Sequence, residues 1–197
     1  MTRIIAGFAG SLRLSVPTSG TRPTSDRVRE AIFSALEARD ALDGAQVLDL
    51  FAGSGALGLE AASRGARRVV LVDKSSAAVR AMRANTATIT KAAPAGAAPE
   101  ITVSSQSVTA YLVGAAGSFD LVFLDPPYEL DNAALRHDLE LLAPRLAPDA
   151  LLVVERSARD AEPDWPEGFE LERRKDYGET TLYWLSVPGD PTPPQSL

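Results

Sequence analysis

Cysteine is absent from the 197 residues, and histidine occurs once, at position 137. The first absence excludes a disulfide framework, a thiolate metal site and a cysteine nucleophile. The second leaves His137 without the companions that a histidine metal cluster or a Ser-His-Asp triad requires, so no metal is expected. No run reaches the ~18 apolar residues of a membrane span. Met1 is followed by Thr-Arg-Ile-Ile-Ala-Gly, too quickly polar for a signal peptide. A cytoplasmic protein without membrane contact is expected, monomeric by default. Positive charge is also short: the net charge is −6, which argues against indiscriminate nucleic-acid binding. The shortage is uneven. Residues 1–39 hold six arginines against three acids, a balance of +3, and residues 40–197 carry −9. The amino-terminal segment is the natural candidate for touching phosphate, with a solvated basic face as the plainer alternative.

What is present is ordinary for a soluble globular protein: 45% hydrophobic and 23% charged residues, in a length that suits one α/β domain. Residues 3–16 alternate as two short strands with a turn near Ala9–Ser11. Thr24-Ser25-Asp26 offers N-caps for a helix whose buried stripe is Val28, Ala31, Ile32, Ala35 and Leu36, with Arg27, Arg29 and Glu30 mostly off it. Arg22 and Arg27 lie near the start of that helix, where anions are favoured. Strand and helix then alternate. Strands are expected at 46–50, 68–73, 101–103, 119–124 and 151–155, and helices at 56–64, 75–90, 107–113 and 135–146, before a closing antiparallel pair at 169–173 and 181–186. This predicts an α/β Rossmann-like, mostly parallel seven-stranded sheet with helices on both faces. Its expected organisation is a β-hairpin extension at 1–20, one domain at 21–187 and a proline-rich disordered tail at 188–197.

Two stretches carry chemistry. Gly53-Ser54-Gly55-Ala56-Leu57-Gly58 satisfies G-x-G-x-x-G between a strand and a helix, and Asp73 ends the next strand, 20 residues after Gly53. There an acidic residue grips ribose hydroxyls, so an adenosine-containing cofactor is predicted; the pattern alone leaves a dinucleotide and S-adenosylmethionine both open. The second stretch is Asp125-Pro126-Pro127-Tyr128, closing the apolar run Phe119–Leu124. A carboxylate there sits where open α/β sheets bind ligands. Two prolines stiffen the loop and leave its carbonyls free. Asp125 and the Pro126 carbonyl can each accept one N–H of an exocyclic amine, and Tyr128 can stack on the base. The plainer alternative is a strand end with Asp125 capping the next helix.

Asp49-Leu50-Phe51-Ala52-Gly53-Ser54-Gly55 resembles the first motif of Rossmann-like methyltransferases, and Asp-Pro-Pro-Tyr resembles the catalytic motif of methyltransferases acting on exocyclic nitrogens. The segments Arg3-Ile4-Ile5-Ala6-Gly7, Thr21 to Glu30 and Lys175-Asp176-Tyr177-Gly178-Glu179-Thr180 are similar to the bacterial small-subunit rRNA guanine-N2 methyltransferases of the guanine-966 type. The resemblance covers residues 1–187. It implies S-adenosylmethionine as cofactor, without a metal. The acceptor it implies is a guanine N2 amine of 16S rRNA, in the small subunit or a late assembly intermediate where ribosomal proteins assist. It further implies that Asp49, Gly53 and Gly55 line the methionine half of the cofactor and Asp73 its ribose, with Phe51, Lys74 and Asp125 also against it. Gln106 matches a position where related enzymes place a polar group near the adenine amine, though Asp and Asn are commoner there. Asp125, Pro126 and Tyr128 would be catalytic. Arg3, Arg13, Arg22, Thr24, Arg27, Pro127, Tyr128 and Tyr177 would meet the RNA.

The competing readings are a DNA adenine or cytosine N-methyltransferase, which shares Asp-Pro-Pro-Tyr but usually needs a target-recognition domain, and a non-catalytic ribosome assembly factor on the same scaffold. A protein glutamine methyltransferase would more often carry Asn in place of Asp125. His137, beside Arg136 and Asp138, reads as a solvated helix face. Asp120 reads as a surface or edge residue, Trp165 and Trp184 as packing. Arg173-Arg174-Lys175 reads equally well as a phosphate contact or a solvated strand end.

Overall fold

A computed structural model describes residues 2–17, 25–114 and 116–188. Along the chain run β1 (Thr2–Arg3), β2 (Arg13–Leu14), α1 (Asp26–Glu37), β3 (Gln46–Leu50), α2 (Ala56–Ser63), β4 (Arg68–Val72) and α3 (Ser76–Ala92). They are followed by β5 (Glu100–Ser104), α4 (Val108–Gly114), β6 (Phe119–Leu124), α5 (Asn132–Leu142), β7 (Leu146–Ser157), β8 (Glu170–Tyr177) and β9 (Thr180–Ser186). Seven strands form one sheet in the order β5-β4-β3-β6-β7-β9-β8. The first five are parallel to one another, and β9 runs antiparallel between β7 and β8. The order reverses between β3 and β6, which are hydrogen-bonded neighbours with Leu50 opposite Leu124.

The apolar runs are long because the parallel strands are buried on both faces. Val47, Val69, Leu71, Leu121 and Phe123 point to the face covered by α1, α2 and α3. Leu48, Leu50, Val70, Val72, Val122 and Leu124 point to the face covered by α4 and α5. Caps fix where helices begin: Ser25, Ser75 and Asp131 each accept the backbone N–H three residues on. The cap by Asp131 starts α5 earlier than its apolar stripe, and a 3-10 turn at Ala143–Arg145 ends it early, so that Leu146 opens a longer β7. No described helix is long and apolar enough to cross a membrane.

The expected amino-terminal hairpin is present, with shorter strands than the alternation over residues 3–16 suggests. Strand pairing is confined to Thr2 with Leu14 and Arg3 with Arg13. Ile4 still bonds across the hairpin, donating its N–H to the Leu12 carbonyl and accepting the Ser11 N–H, both at 2.9 Å, and from Ile5 onward the α2 surface takes the backbone groups. The Glu60 carboxylate accepts the N–H of Ile5 at 2.6 Å and of Ala6 at 3.0 Å, and also the Arg64 Nε at 2.7 Å. Ser63 donates its hydroxyl to the Ala6 carbonyl and accepts the Ala9 N–H. Gly7 passes so close that a Cβ would lie 1.8 Å from the Ser63 carbonyl oxygen, and its φ is +78°; only glycine fits. Ile4, Ala9 and Leu14 sink into the core.

Of two charged side chains expected away from the core, Arg29 is inside and Asp120 lies at the boundary. Arg29 is fully buried, donating through Nη2 to the Arg3 carbonyl at 2.9 Å and to Asp26 at 2.6 Å. Asp120 is half-buried and accepts the Gln46 N–H at 2.7 Å, tying the start of β3 to β6. His137 is exposed, and Trp184 is core. Trp165 packs on Tyr183 with ring centroids 5.2 Å apart.

Glu60 is 0% exposed, and its removal strands two backbone donors and a guanidinium. Glu60→Ala is expected to destabilise the protein by about 3–5 kcal/mol, read by urea unfolding. Faster amide exchange at Ile5 and Ala6 should accompany it. An unchanged unfolding midpoint would show that the arm is not held by this carboxylate.

Candidate active site

The carboxyl ends of β3, β4 and β6 bound a cavity of about 340 Å³, within the range of small-molecule sites. Phe51, Gly53, Asp73, Lys74, Asp125 and Pro127 line it. These are six of the residues singled out from sequence, contributed by three separate strand ends. The glycine turn is held from beneath by two carboxylates. Asp73 accepts the Gly53 N–H at 2.9 Å through one oxygen and the Ser75 N–H at 2.8 Å through the other. Asp49 accepts the Gly58 N–H at 2.8 Å. Gly58 is required for that approach, because a Cβ would meet Leu71 at 2.4 Å and Val69 at 2.9 Å. Phe51 sits in left-handed backbone at φ 59°, a conformation costing a bulky residue roughly 1–3 kcal/mol. It turns the chain off β3 and presents its ring to the cavity.

Asp49 lies under the floor rather than on the wall, 1% exposed and without an ion pair among the described residues. Burial pushes its carboxyl up to about 7 from the ordinary 3.8; the Gly58 bond pulls the other way, and the Asp73 charge adds to the rise. Gly55 is buried in the turn. In the loop after β6, Pro126 is buried and Tyr128 is 63% exposed; Asp125 and Pro127 line the cavity, and Pro126 and Tyr128 do not. The Asp125 N–H points to the Leu50 carbonyl at 3.5 Å, across the β3–β6 seam.

Other candidates stand elsewhere. Gln106 is exposed and is not on the cavity wall. Arg3 and Arg13 are cross-strand partners lining a separate cleft with Ser11 and Asp26, of about 370 Å³. Arg27 is exposed on α1, and Arg22 and Thr24 lie outside the described residues. Tyr177 lies half-buried beneath Lys175, whose Nζ is 4.9 Å from its ring, at the β8–β9 turn. Since β9 pairs Thr180 with Ser157 of β7, that turn is at the same sheet edge as the cavity. Among the wall residues that escaped the sequence reading are Thr109 on α4 and Asp138 on α5. A signal for Asp138 was present. It falls with Leu135, Leu139 and Leu142 on one helical stripe, and a carboxylate on a core stripe calls for a reason.

The Asp49 proton gives a pH signature. The folded chain retains it between 3.8 and about 7, where the unfolded chain has released it. This contribution to stability is therefore complete below 3.8 and lost as pH rises through about 7. Asp49→Asn keeps an acceptor for Gly58 and lacks the titration. Between pH 5 and pH 8 the native protein is expected to lose about 3 kcal/mol relative to this variant in urea unfolding. Parallel pH profiles would refute the assignment.

Residues 2–186 match the family described as Conserved hypothetical protein 95. The chain is 36% identical over 193 residues to the ribosomal RNA small subunit methyltransferase D of Escherichia coli K12, covering 95% of this chain and 92% of that one. It is 32% identical over 186 residues to the putative rRNA methyltransferase YlbH of Bacillus subtilis, covering 90% and 95%. A solved structure of the putative methyltransferase yhhF from Escherichia coli superposes with a TM-score of 0.80 at 34% identity, covering 95% and 98%. The chain belongs to the Conserved hypothetical protein 95 family, and with it to the ribosomal RNA small subunit methyltransferases built on the class I S-adenosylmethionine-dependent fold.

Proposed function

We propose that this chain methylates the exocyclic N2 amine of one guanine in the 16S rRNA of the small ribosomal subunit, in the cytoplasm and as a monomer. The observation that carries the reading is Tyr128, an exposed aromatic that follows two prolines in the loop whose Asp125 and Pro127 line the cavity. A solvent-facing aromatic is a poor choice for folding and a good one for a base presented from outside. The cavity suits S-adenosylmethionine. Asp73 stands at its wall for ribose hydroxyls. Asp49 is a buried carboxylate lacking a cation, a deficit that an amino-acid ammonium over the glycine turn would relieve. When bound, that cofactor supplies an electrophilic methyl group on a cationic sulfur.

The protein's part is alignment. The guanine amine is a weak nucleophile, since its lone pair is delocalised into the ring. Asp125 and the Pro126 carbonyl accept its two N–H bonds and favour a tetrahedral nitrogen whose lone pair faces the cavity. Tyr128 stacks on the ring, and Pro127 and Tyr177 border it. Asp125 is too weak a base to deprotonate the amine beforehand; it accepts the proton only after the nitrogen has been alkylated. Holding the base this way requires that it be unstacked from its neighbours. Most of the acceleration comes from orientation and a dry, preorganised site.

Arg3, Arg13 and Arg27 dock the RNA backbone from the arm and α1, with Arg22 and Thr24 between them in sequence. The rest of the molecule is acidic, so the docking charge is local. Because the arm also fills core, Arg3→Ala and Arg13→Ala are cleaner probes of docking than truncation.

The test is transfer of a labelled methyl from S-adenosylmethionine to small subunits lacking the modification, to naked 16S rRNA and to duplex DNA, followed by nucleoside digestion. Label is expected as N2-methylguanosine from rRNA. Label as N6-methyladenine from DNA would favour the DNA-enzyme reading, and none despite cofactor binding the assembly-factor reading. Asp125→Ala should lower kcat at least ~100-fold while leaving cofactor affinity within about threefold. Tyr128→Ala should raise KM for RNA about 5–150-fold. Equal loss of cofactor binding and transfer in Asp125→Ala would sink the role given to Asp125.

A further inference from the structure

Asp138 is 3% exposed, and it lines the cofactor cavity. Its helix neighbours on the same stripe, Leu135, Leu139 and Leu142, are fully buried against the sheet. One carboxylate oxygen accepts the Thr109 hydroxyl at 2.7 Å, and Thr109 also lines the cavity. Among the described residues Asp138 makes no ion pair, and that hydroxyl is its one side-chain hydrogen-bond partner. An ionised carboxylate accepts up to about four bonds, and burying it with one is costly. Leucine would complete the stripe at no such cost.

The position says which ligand atom offsets the cost. On the proposed reading Gly53 takes the methionine half, Asp73 the ribose and Asp125 the transfer end, all three on the cavity wall. The α4 and α5 side of the cavity adds Ser107 and Val108 to Thr109 and Asp138, and Phe51, Ala78 and Leu130 supply apolar wall elsewhere around it. That is a surround for a flat heteroaromatic ring with one polar edge. Thr109 spends its only proton on Asp138, so the pair presents acceptors, not donors, to that edge. Gln106, the residue expected from sequence to meet the adenine amine, faces solvent instead.

We propose that Asp138, oriented by Thr109, accepts the exocyclic amine of the cofactor's adenine and makes the site select adenosine over inosine. The assignment rests on the cavity being the S-adenosylmethionine site. Burial pushes the Asp138 carboxyl above its ordinary value, opposed by the Thr109 bond and the nearby His137. A donated amine N–H acts in the same sense as those two and holds the charged form.

The test is calorimetric binding of S-adenosylhomocysteine and of S-inosylhomocysteine, in which an oxo group replaces the amine. The native protein is expected to prefer the adenine ligand about 10–150-fold, the range for one hydrogen bond to a charged group. Asp138→Asn is nearly isosteric. Thr109 keeps its bond to the amide oxygen, so the NH₂ turns to the ligand, and the preference should fall at least ~30-fold and swing toward the inosine ligand. Asp138→Leu should bring it near unity. A helix clamp without ligand contact would weaken both ligands equally and leave the ratio unchanged in both variants, which would overturn the assignment. Equal native affinity for the two ligands would overturn it too, while leaving the cofactor reading intact. Failure of the native protein to bind either would overturn both.

Discussion

The parallel pairing of β3 with β6 is the constraint on which the site depends. Strands leave that seam in opposite directions, β4 and β5 to one side and β7 to the other. The loops after β3 and β6 therefore diverge and leave a crevice between them. Leu50 opposite Leu124 sets both chain ends at one level, so the glycine turn and the Asp125 loop face each other across it. Neither loop could do this alone. Residues 49–55 and 125–128 are some 70 positions apart in sequence, and only the sheet register makes them neighbours.

The strands that meet there were legible in the sequence because they are strongly patterned segments, while their order and register come only from the folded sheet. Val69 to Val72 and Phe119 to Leu124 are apolar without interruption, as strands covered on both faces must be. Gly53, Gly58 and Asp73 carried the cofactor turn by spacing alone. The failures have a common physical cause, a polar group whose partner is remote in the chain. Arg29 read as a surface residue because its partner, the Arg3 carbonyl, belongs to another element. The arm read as a longer hairpin because its alternation is real, while the carboxylate that diverts its backbone comes 54 residues later. Asp138 read as part of a solvated face because it was judged with His137 rather than with Leu135 and Leu139.

Buried charge is also where the molecule divides structure from function. Glu60 is a carboxylate with a full set of donors: two backbone N–H groups and a guanidinium. It behaves as a rivet between the arm and α2, and no ligand is needed to explain it. Asp49 and Asp138 each accept one described hydrogen bond, and burial raises both carboxyls. A group that a fold leaves under-compensated costs stability in the ligand-free protein, and selection retains it only where something else is gained.

The two lie at different depths around the cavity, one under the glycine turn and one on the far wall. A ligand with a cation at one end and an amine at the other would relieve both, and an adenosyl amino acid has that disposition of charge. The same reasoning separates the arm from the site. Its backbone at Ile5, Ala6 and Ala9 is taken up by Glu60 and Ser63, and what it presents outward is Arg3 and Arg13 on an otherwise acidic protein. A backbone anchored by protein partners beneath a basic surface describes a docking element, and under-compensated carboxylates around a cavity describe a binding site.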